Sequence, residues 1–214
     1  GSDIYFNADG FQFAYQRLTG DGEIIARLRM QDASNPWAKT GVMIRENLTA
    51  GSRHALAFTT PAETRNGFGM VWRQTQGGAS GYSAGEALNA IPHNWVKLVR
   101  SGSVITAFHS ADGTAWKLIG STTLSGLPAE LYFGLAVTSS DSSRTATSVF
   151  DQVTIRALTP PSGDFNLVSA DIGSVTVPGA TVIDPASGAH TLTASGNDIY
   201  FEQDGFRFAQ QTLE

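Results

Sequence analysis

The chain has 214 residues and a formal net charge of −5 at pH 7, and its basic residues form no run. That charge distribution provides no electrostatic surface for nucleic acid or for an anionic membrane. The absence of cysteine excludes a disulfide framework, a Cys-based zinc site and a thiol nucleophile. Since no apolar run reaches the roughly 18 residues of a membrane span, we expect neither nucleic acid nor a membrane as a partner.

One stretch occurs twice. Residues 3–19 read DIYFNADGFQFAYQRLT and residues 198–214 read DIYFEQDGFRFAQQTLE, with eleven of seventeen positions identical. The Asp-Gly dipeptide in each copy is typical of a tight turn, so each copy is predicted to form two paired strands. The domain-sized offset indicates large tandem domains. One sandwich has room for only one copy of such a hairpin.

Between the two copies, apolar and polar residues alternate with a period of two, and no helix of useful length is predicted. In residues 68–74, for example, Phe68, Met70 and Trp72 share one face of a strand, and Val71 and Arg73 share the other. The pattern predicts an all-β fold, an antiparallel β-sandwich. The predicted strands are residues 23–30, 41–46, 53–60, 68–74, 95–100, 104–110, 116–120, 131–138 and 148–156.

Four blocks of sequence carry a resemblance to known proteins. They are PWAKTGVMIRENLTAGSRHAL (36–56), NWVKLVRSGSVITAFHSADGTAWKLIG (94–120), YFGLAVTSSD (132–141) and FDQVTI (150–155). Together they resemble the concanavalin A-like, laminin-G-like jelly-roll modules of large secreted bacterial proteins. The resemblance implies a concanavalin A-like jelly roll, an extracellular or cell-surface location, and core positions for Trp95 and Trp116.

The resemblance also implies a permuted order, because a typical module of that family opens with a segment like residues 170–201 and continues into one like residues 20–28. Residues 3–157 are then the C-terminal portion of one repeat, residues 158–162 a linker, and residues 163–214 the N-terminal portion of the next repeat. We expect residues 163–214 to complete a sandwich with residues 20–157 of the same or a neighbouring chain. Self-association by exchange of residues 163–214 or 3–19 is favoured over a closed monomer.

Catalysis is not expected in this chain. Whether a longer parent protein carries a catalytic domain is left open by the sequence. Gly1-Ser2 is typical of a cloning remnant, so we expect an excised piece of such a parent. Polysaccharide-cleaving enzymes of this fold usually carry alternating carboxylates on one strand, where a retaining pair stands about 5 Å apart. The acidic residues here lie singly, and there is no G-x-S-x-G motif for a serine nucleophile.

Aromatic side chains are the best candidates for ligand contact, because their ring faces stack on sugar rings. Trp72 stands beside Arg73 and just before a glycine-rich loop that contains Tyr82. Arginine adds fork-shaped donors for hydroxyl or carboxylate groups. The predicted ligand-binding residues are Trp72, Arg73, Tyr82, Trp37, Arg45 and His54.

Structural roles remain open for most of this set. Trp37 is equally suited to core packing, whereas for His54 a hydrogen bond within a sheet is favoured over ligand contact. Arg45 and Arg73 are equally suited to ion pairs with Glu46 or Glu23 on a solvated sheet.

Calcium is the one cofactor considered, and none is required. Many jelly-roll modules hold a structural Ca²⁺ where their first and last strands meet, through carboxylates and carbonyl oxygens. Asp151 of the FDQV motif matches the aspartate that ends such modules, and Asp164 and Asp171 lie in the opening segment.

Two functions therefore compete. The first is a non-catalytic carbohydrate-binding or adhesive module of an extracellular bacterial protein, with a polysaccharide or cell-surface glycan as partner. The alternative is a structural tandem repeat that spaces or self-associates in a giant surface protein without binding a small ligand.

Overall fold

The computed structural model describes residues 1–62, 66–87, 94–158, 168–172, 177–183, 190–195 and 206–210. The chain divides into two compact units, Gly1–Leu158 and Thr159–Glu214, so the division falls at the predicted linker. None of the described residues form a helix long and apolar enough to cross a membrane.

The first unit is an antiparallel β-sandwich, as the sequence predicted. One sheet has six strands in the order β1-β10-β3-β4-β5-β6, and the other has five in the order β11-β2-β7-β8-β9. The strands are β1 Gln12–Thr19, β2 Gly22–Gln31, β3 Lys39–Arg45, β4 His54–Thr59, β5 Phe68–Arg73, β6 Ser80–Ala84, β7 Asn94–Ser101, β8 Val104–Ser110, β9 Lys117–Thr123, β10 Glu130–Thr138 and β11 Ser148–Ala157.

The core lies between the two sheets and follows the period-two pattern of the strands. Ile24, Ala26 and Leu28 of β2 are fully buried. Facing residues of the six-stranded sheet, including Ile44 and Phe133, join the same apolar cluster as strand residues of the five-stranded sheet. Full burial of a large aliphatic or aromatic side chain contributes roughly 1.5–3 kcal/mol to folding, so this cluster is the main source of stability for the sandwich.

The outer face of the central strands of the six-stranded sheet is also buried, and the beginning of the chain covers it. Met43, Leu56 and Val71 point outward and are fully buried, in a second cluster that includes Ile4. Residues 3–11, which we name the N-terminal segment, supply that cover. Burial against this face replaces the strand pairing that the sequence predicted for them.

The predicted hairpin is therefore only half formed in the first copy of the duplicated stretch. Residues 12–19 form β1, which pairs with β10 from Gln12↔Val137 to Thr19↔Glu130. The N-terminal segment has a single bridge, between Asp3 and Gly10. The first copy thus holds an edge position of the six-stranded sheet, and a role for residues 163–214 in completing a sandwich stays a prediction.

The described part of the second unit forms two small antiparallel sheets. β12 (Val168–Ile172) pairs with β15 (Phe206–Gln210), and β13 (Ala180–Ile183) pairs with β14 (His190–Thr193). β15 belongs to the second copy of the duplicated stretch and aligns with residues 11–15 of the first copy. Both copies therefore contribute a strand at the same place in the motif.

Candidate ligand site on the outer face

A cavity of about 620 Å³ opens where the N-terminal segment crosses the outer face of the six-stranded sheet. We name it the outer-face cavity. Strands β3, β5 and β6 supply one wall, the N-terminal segment another, and the loop before β3 a third. Its lining residues are Ser2, Asp3, Tyr5, Phe6, Ala8, Asn35, Trp37, Lys39, Val71, Tyr82 and Ser140.

Aromatic rings dominate this lining and remain open to solvent. Trp37 is 47% exposed, Phe6 69% and Tyr82 38%. The Trp37 and Tyr82 ring centroids lie 6.4 Å apart with the planes almost perpendicular, and Tyr5 meets Phe6 edge-on at 5.2 Å. Exposed aromatic groups collected in one concavity are typical of a binding site.

The backbone of Trp37 is held in place from several sides. The carbonyl oxygen of Trp37 accepts hydrogen bonds from Ser140 Oγ at 2.7 Å and from Lys39 Nζ at 3.3 Å. The amide of Trp37 donates to Asn35 Oδ1 at 2.8 Å. Because these hydrogen bonds hold the backbone of Trp37 in place, its indole ring is preorganised at the cavity.

The polar floor of the cavity centres on Asp3. One oxygen of its carboxylate accepts hydrogen bonds from Lys39 Nζ and from the amide of Ile4 at 2.7 Å. Ser140 Oγ lies 3.0 Å from the same oxygen and shares its single hydrogen between Asp3 and the Trp37 carbonyl oxygen. Lys39 is buried, so its ammonium group faces Asp3 and the Trp37 carbonyl oxygen away from bulk water. The floor therefore combines a balanced ion pair with hydroxyl and amide groups.

A buried group of charges fastens the N-terminal segment next to this cavity. Arg73 donates from Nη2 to Asp9 Oδ1 at 2.6 Å and from Nη1 to Asp9 Oδ2 at 2.9 Å. Arg45 Nη2 and His54 Nδ1 each lie 3.5 Å from Asp9 Oδ2. We name Asp9, Arg45, His54 and Arg73 the Asp9 cluster. Their side chains are fully or almost fully buried.

Arg73 also binds the backbone of the segment that carries the exposed rings. Its Nη2 donates to the carbonyl oxygens of Tyr5 at 2.6 Å and Phe6 at 3.2 Å. Ser80 Oγ donates to the Tyr5 carbonyl oxygen at 2.8 Å. The cluster thus positions Tyr5 and Phe6 at the cavity, although none of its members lines the cavity.

Burial controls the protonation of His54. Loss of solvent lowers the pKa of His54 to about 4, and the positive charges of Arg73 and Arg45 act in the same direction against the opposing effect of Asp9. The neutral ring donates from Nδ1 to the carbonyl oxygen of Ser52 at 3.2 Å. Its Nε2 finds no partner among the described residues. Burial also lowers the pKa of Arg45, but a guanidinium stays charged at neutral pH.

The structure separates the six predicted ligand residues into three groups. Trp37 and Tyr82 line the outer-face cavity. Arg45, His54 and Arg73 are sealed around Asp9, so their donors bind protein groups. The suggested ion pairs with Glu46 and Glu23 are not formed by them, because Glu46 binds Arg53 and Glu23 binds Arg156.

Trp72 forms the third group, and its grouping with Tyr82 and Arg73 needs correction. Alternate residues of β5 face opposite sides of the sheet, so Trp72 packs against the core between the sheets. Its indole leaves no room for a side chain at Gly81, its partner on β6. Val71, in contrast, pairs with Tyr82 on the outer side.

Trp95 also differs from the expectation of a core position. Val96 and Leu98 of β7 point into the core, so Trp95 lies on the outer face of the five-stranded sheet, with the Arg27 guanidinium 5.5 Å from its ring centroid. Trp116 carries Lys97 Nζ 4.1 Å from its ring centroid. Both rings are half-buried under cationic side chains.

The predicted calcium ligands have protein partners where the structure describes them. Arg27 donates to both carboxylate oxygens of Asp151, at 2.6 and 2.7 Å. Asp171 accepts a hydrogen bond from the amide of Gly179, and Asp164 lies outside the described residues. No group of three or more acidic or histidine side chains able to hold a metal occurs among the described residues. A structural calcium ion stays a prediction.

Sequence reasoning missed Asp9 and the N-terminal segment. The available signal was the duplicated stretch, in which the Asp-Gly pair recurs. A turn explains the glycine of that pair and leaves open why the first residue is aspartate in both copies. The structure shows that its carboxylate is the partner of three basic residues.

The fold defines the class of this protein as an antiparallel β-sandwich, and solved structures share it. A functionally unknown protein from Saccharomyces cerevisiae is similar with a TM-score of 0.59 and 12% identity, over 74% of this chain and 84% of that chain. No protein-family model matches the chain, and no curated protein matches it.

Two bacterial structures share the fold with similar TM-scores and sequence identities. The GH43 protein BlXynB from Bacillus licheniformis has a TM-score of 0.53 and 15% identity, over 73% of this chain and 39% of that chain. The xylan beta-1,4-xylosidase from Bacillus halodurans C-125 has a TM-score of 0.51 and 13% identity, over 66% of this chain and 29% of that chain. This chain therefore spans less than two fifths of either protein.

Proposed function

We propose that this chain is a non-catalytic carbohydrate-binding module of an extracellular protein, and that it takes a short oligosaccharide in the outer-face cavity. The observation that carries the proposal is the group of exposed rings of Trp37, Tyr82 and Phe6 around one concavity with a polar floor. A sugar ring presents apolar C–H surfaces and hydroxyl groups together. The rings match the former, and Asp3, Asn35 and Ser140 supply hydrogen-bonding groups for the latter.

The size and charge of the cavity favour a neutral glycan. A volume of about 620 Å³ falls within the roughly 300–1,000 Å³ that is usual for ligand pockets. The charges in its lining balance, because Asp3 is paired with Lys39. The arginines that would suit an acidic sugar are enclosed in the Asp9 cluster.

A binding role is favoured over hydrolysis by the carboxylates of the lining. Glycoside hydrolysis ordinarily needs two carboxyl groups across the scissile bond. Among the described residues that line the cavity, Asp3 is the single carboxylate, and Lys39 and Ser140 already bind it. This support is independent of the fold.

A panel of neutral polysaccharides tests the proposal, beginning with xylan because one protein of the same fold is a xylan beta-1,4-xylosidase. For a glycan that the panel shows to bind, calorimetry should show that Trp37→Ala weakens the affinity at least about tenfold, which corresponds to 1.4 kcal/mol. Trp116→Ala is the matched control, since its half-buried ring lies against Lys97 of the five-stranded sheet, and we expect unchanged affinity. Retention of no glycan, or equal affinity of Trp37→Ala and wild type, would contradict the proposal.

A further inference from the structure

The two copies of the duplicated stretch differ only where the first copy is exposed. Six aligned positions differ, and in the first copy all six side chains face solvent; they are Asn7, Ala8, Gln12, Tyr15, Arg17 and Thr19. Eight positions of the first copy are buried or half-buried, and all eight recur unchanged; they are Asp3, Ile4, Tyr5, Asp9, Gly10, Phe11, Phe13 and Leu18. The second copy therefore keeps the complete buried face of the first.

Most of that buried face contacts the outer face of the six-stranded sheet. Ile4 belongs to the outer apolar cluster, and Tyr5, Phe11 and Phe13 pack against it. The ring of Phe11 lies under the Arg45 guanidinium at 5.0 Å. We name the receiving surface the socket; its residues are Lys39, Met43, Arg45, His54, Leu56, Val71 and Arg73.

Asp9 gives the fit its specificity. A short apolar segment binds to apolar surfaces with little specificity. Arg73, in contrast, offers two parallel hydrogen-bond donors that match one carboxylate. Asp204 occupies the aligned position of the second copy, six residues after Asp198 as Asp9 is six after Asp3. The second copy thus carries both the apolar side chains and the acid that the socket receives.

We propose that residues 198–214 are a docking segment for the socket of a second copy of this chain, in the place that residues 3–19 hold here. Asp204 would pair with Arg73 of that copy, and Ile199 would enter the outer apolar cluster. β1 is an edge strand that pairs with β10 on one side only. If β15 took the place of β1, one edge of β15 would pair with β10 and its other edge would stay available for β12. Because donor and socket lie at different places on the chain, the contact is head-to-tail and produces open chains or rings.

The first copy binds the socket of its own chain in preference to the second copy of another molecule. It is joined to β2 by the short connection Gly20-Asp21, so its effective concentration at the socket is of millimolar order. The second copy of another molecule therefore binds the socket only if it displaces the first copy, or if the binding of the first copy has been weakened. We therefore expect docking between chains only when binding of the first copy to the socket is weakened, so the wild type stays monomeric, in contrast to the self-association that the sequence favoured.

The experiment weakens one copy at a time in the full chain. Molar mass is measured by light scattering over a concentration series for wild type, Asp9→Ala, Asp204→Ala and the double variant. We expect Asp9→Ala to at least double its mean mass at high concentration. Wild type, Asp204→Ala and the double variant should stay monomeric, since each lacks either an open socket or a competent docking segment.

A monomeric Asp9→Ala at all concentrations would overturn the proposal. Equal association of Asp9→Ala and the double variant would also overturn it, because the uncovered apolar face alone would then explain self-association. Cooperative unfolding verifies that each variant is folded. If Asp9→Ala lacks a cooperative transition, Asp9→Asn, which keeps the side-chain volume, replaces it in the same comparison. No glycan enters this assay, so its outcome is independent of the proposed carbohydrate binding.

Discussion

The central strands β3, β4 and β5 of the six-stranded sheet are buried on both faces, but by different means. The inner face meets a second sheet across an apolar cluster that draws residues from strands of both sheets. The outer face is covered by the N-terminal segment, through a smaller apolar cluster and the four ionisable groups of the Asp9 cluster. The inner face is therefore buried by the packing of two sheets, whereas burial of the outer face depends on one short segment from the beginning of the chain.

Removal of a large side chain from the inner face should have the largest effect on stability. Phe133→Ala leaves a cavity among residues of both sheets, and we expect it to reduce the free energy of unfolding by about 3–5 kcal/mol. Urea denaturation measures the change. Leu118→Ala is the control, because Leu118 is 64% exposed and should cost less than about 0.5 kcal/mol. Similar costs for both variants would contradict this description of the core.

Loss of the acid from the outer face should come next. Asp9→Ala leaves two buried guanidinium groups without their carboxylate, and breaking a buried pair in this way costs about 3 kcal/mol. Glu130→Ala, which removes an exposed partner of Arg17, is the matched control at roughly 0–1 kcal/mol. Denaturation is followed at low protein concentration, so that association does not contribute. A cost for Asp9→Ala no larger than the control would show that the cluster does not fasten the segment.

Acid should loosen the outer face more than the inner face. His54 has a pKa of about 4 in the folded protein, against 6.5 as its ordinary value, so the unfolded chain binds the extra proton first. Its contribution to stability is complete above pH 6.5 and declines as the pH falls toward 4. We expect a loss of about 2 kcal/mol from this group, since water entering under the segment limits the full effect.

The control for this pH dependence is His54→Gln, which retains Asp9, Arg45 and Arg73 around the position. Its free energy of unfolding should change less between pH 7 and pH 4 than that of the wild type. Equal changes in the two proteins would assign the acid sensitivity to other groups.

Much of the fold could be predicted from the sequence because strand periodicity is local. Alternation in residues 23–30 predicted the buried side of β2, and residues 68–74 were correctly divided into two faces. The alternation did not reveal that both faces of β5 are buried, because the cover of the outer face comes from the distant N-terminal segment. Trp72 was predicted to contact a ligand because it stands beside Arg73 and before a glycine-rich loop, and the structure packs it, partly buried, against the core between the sheets.

The candidate site was less predictable because it is built from distant parts of the chain. Arg73 on a strand has the appearance of a ligand-facing donor, yet its partner Asp9 is 64 residues away. The Asp-Gly pair also fitted a turn, and that local explanation concealed the charge role of Asp9. Trp37 and Tyr82 were predicted as aromatic ligand contacts, and the structure brings them together at one cavity; their contact with a ligand stays a prediction.

The location of the binding site is the central claim, and an NMR titration tests it most directly. A ¹⁵N-labelled chain is titrated with the oligosaccharide that the polysaccharide panel selects. We predict that the largest amide shifts fall on residues 2–8, 35–39, 82 and 140, around the outer-face cavity, and that Trp37→Ala abolishes them at the same ligand concentration. Shifts confined to β7, β8 and β9 of the five-stranded sheet would contradict the account.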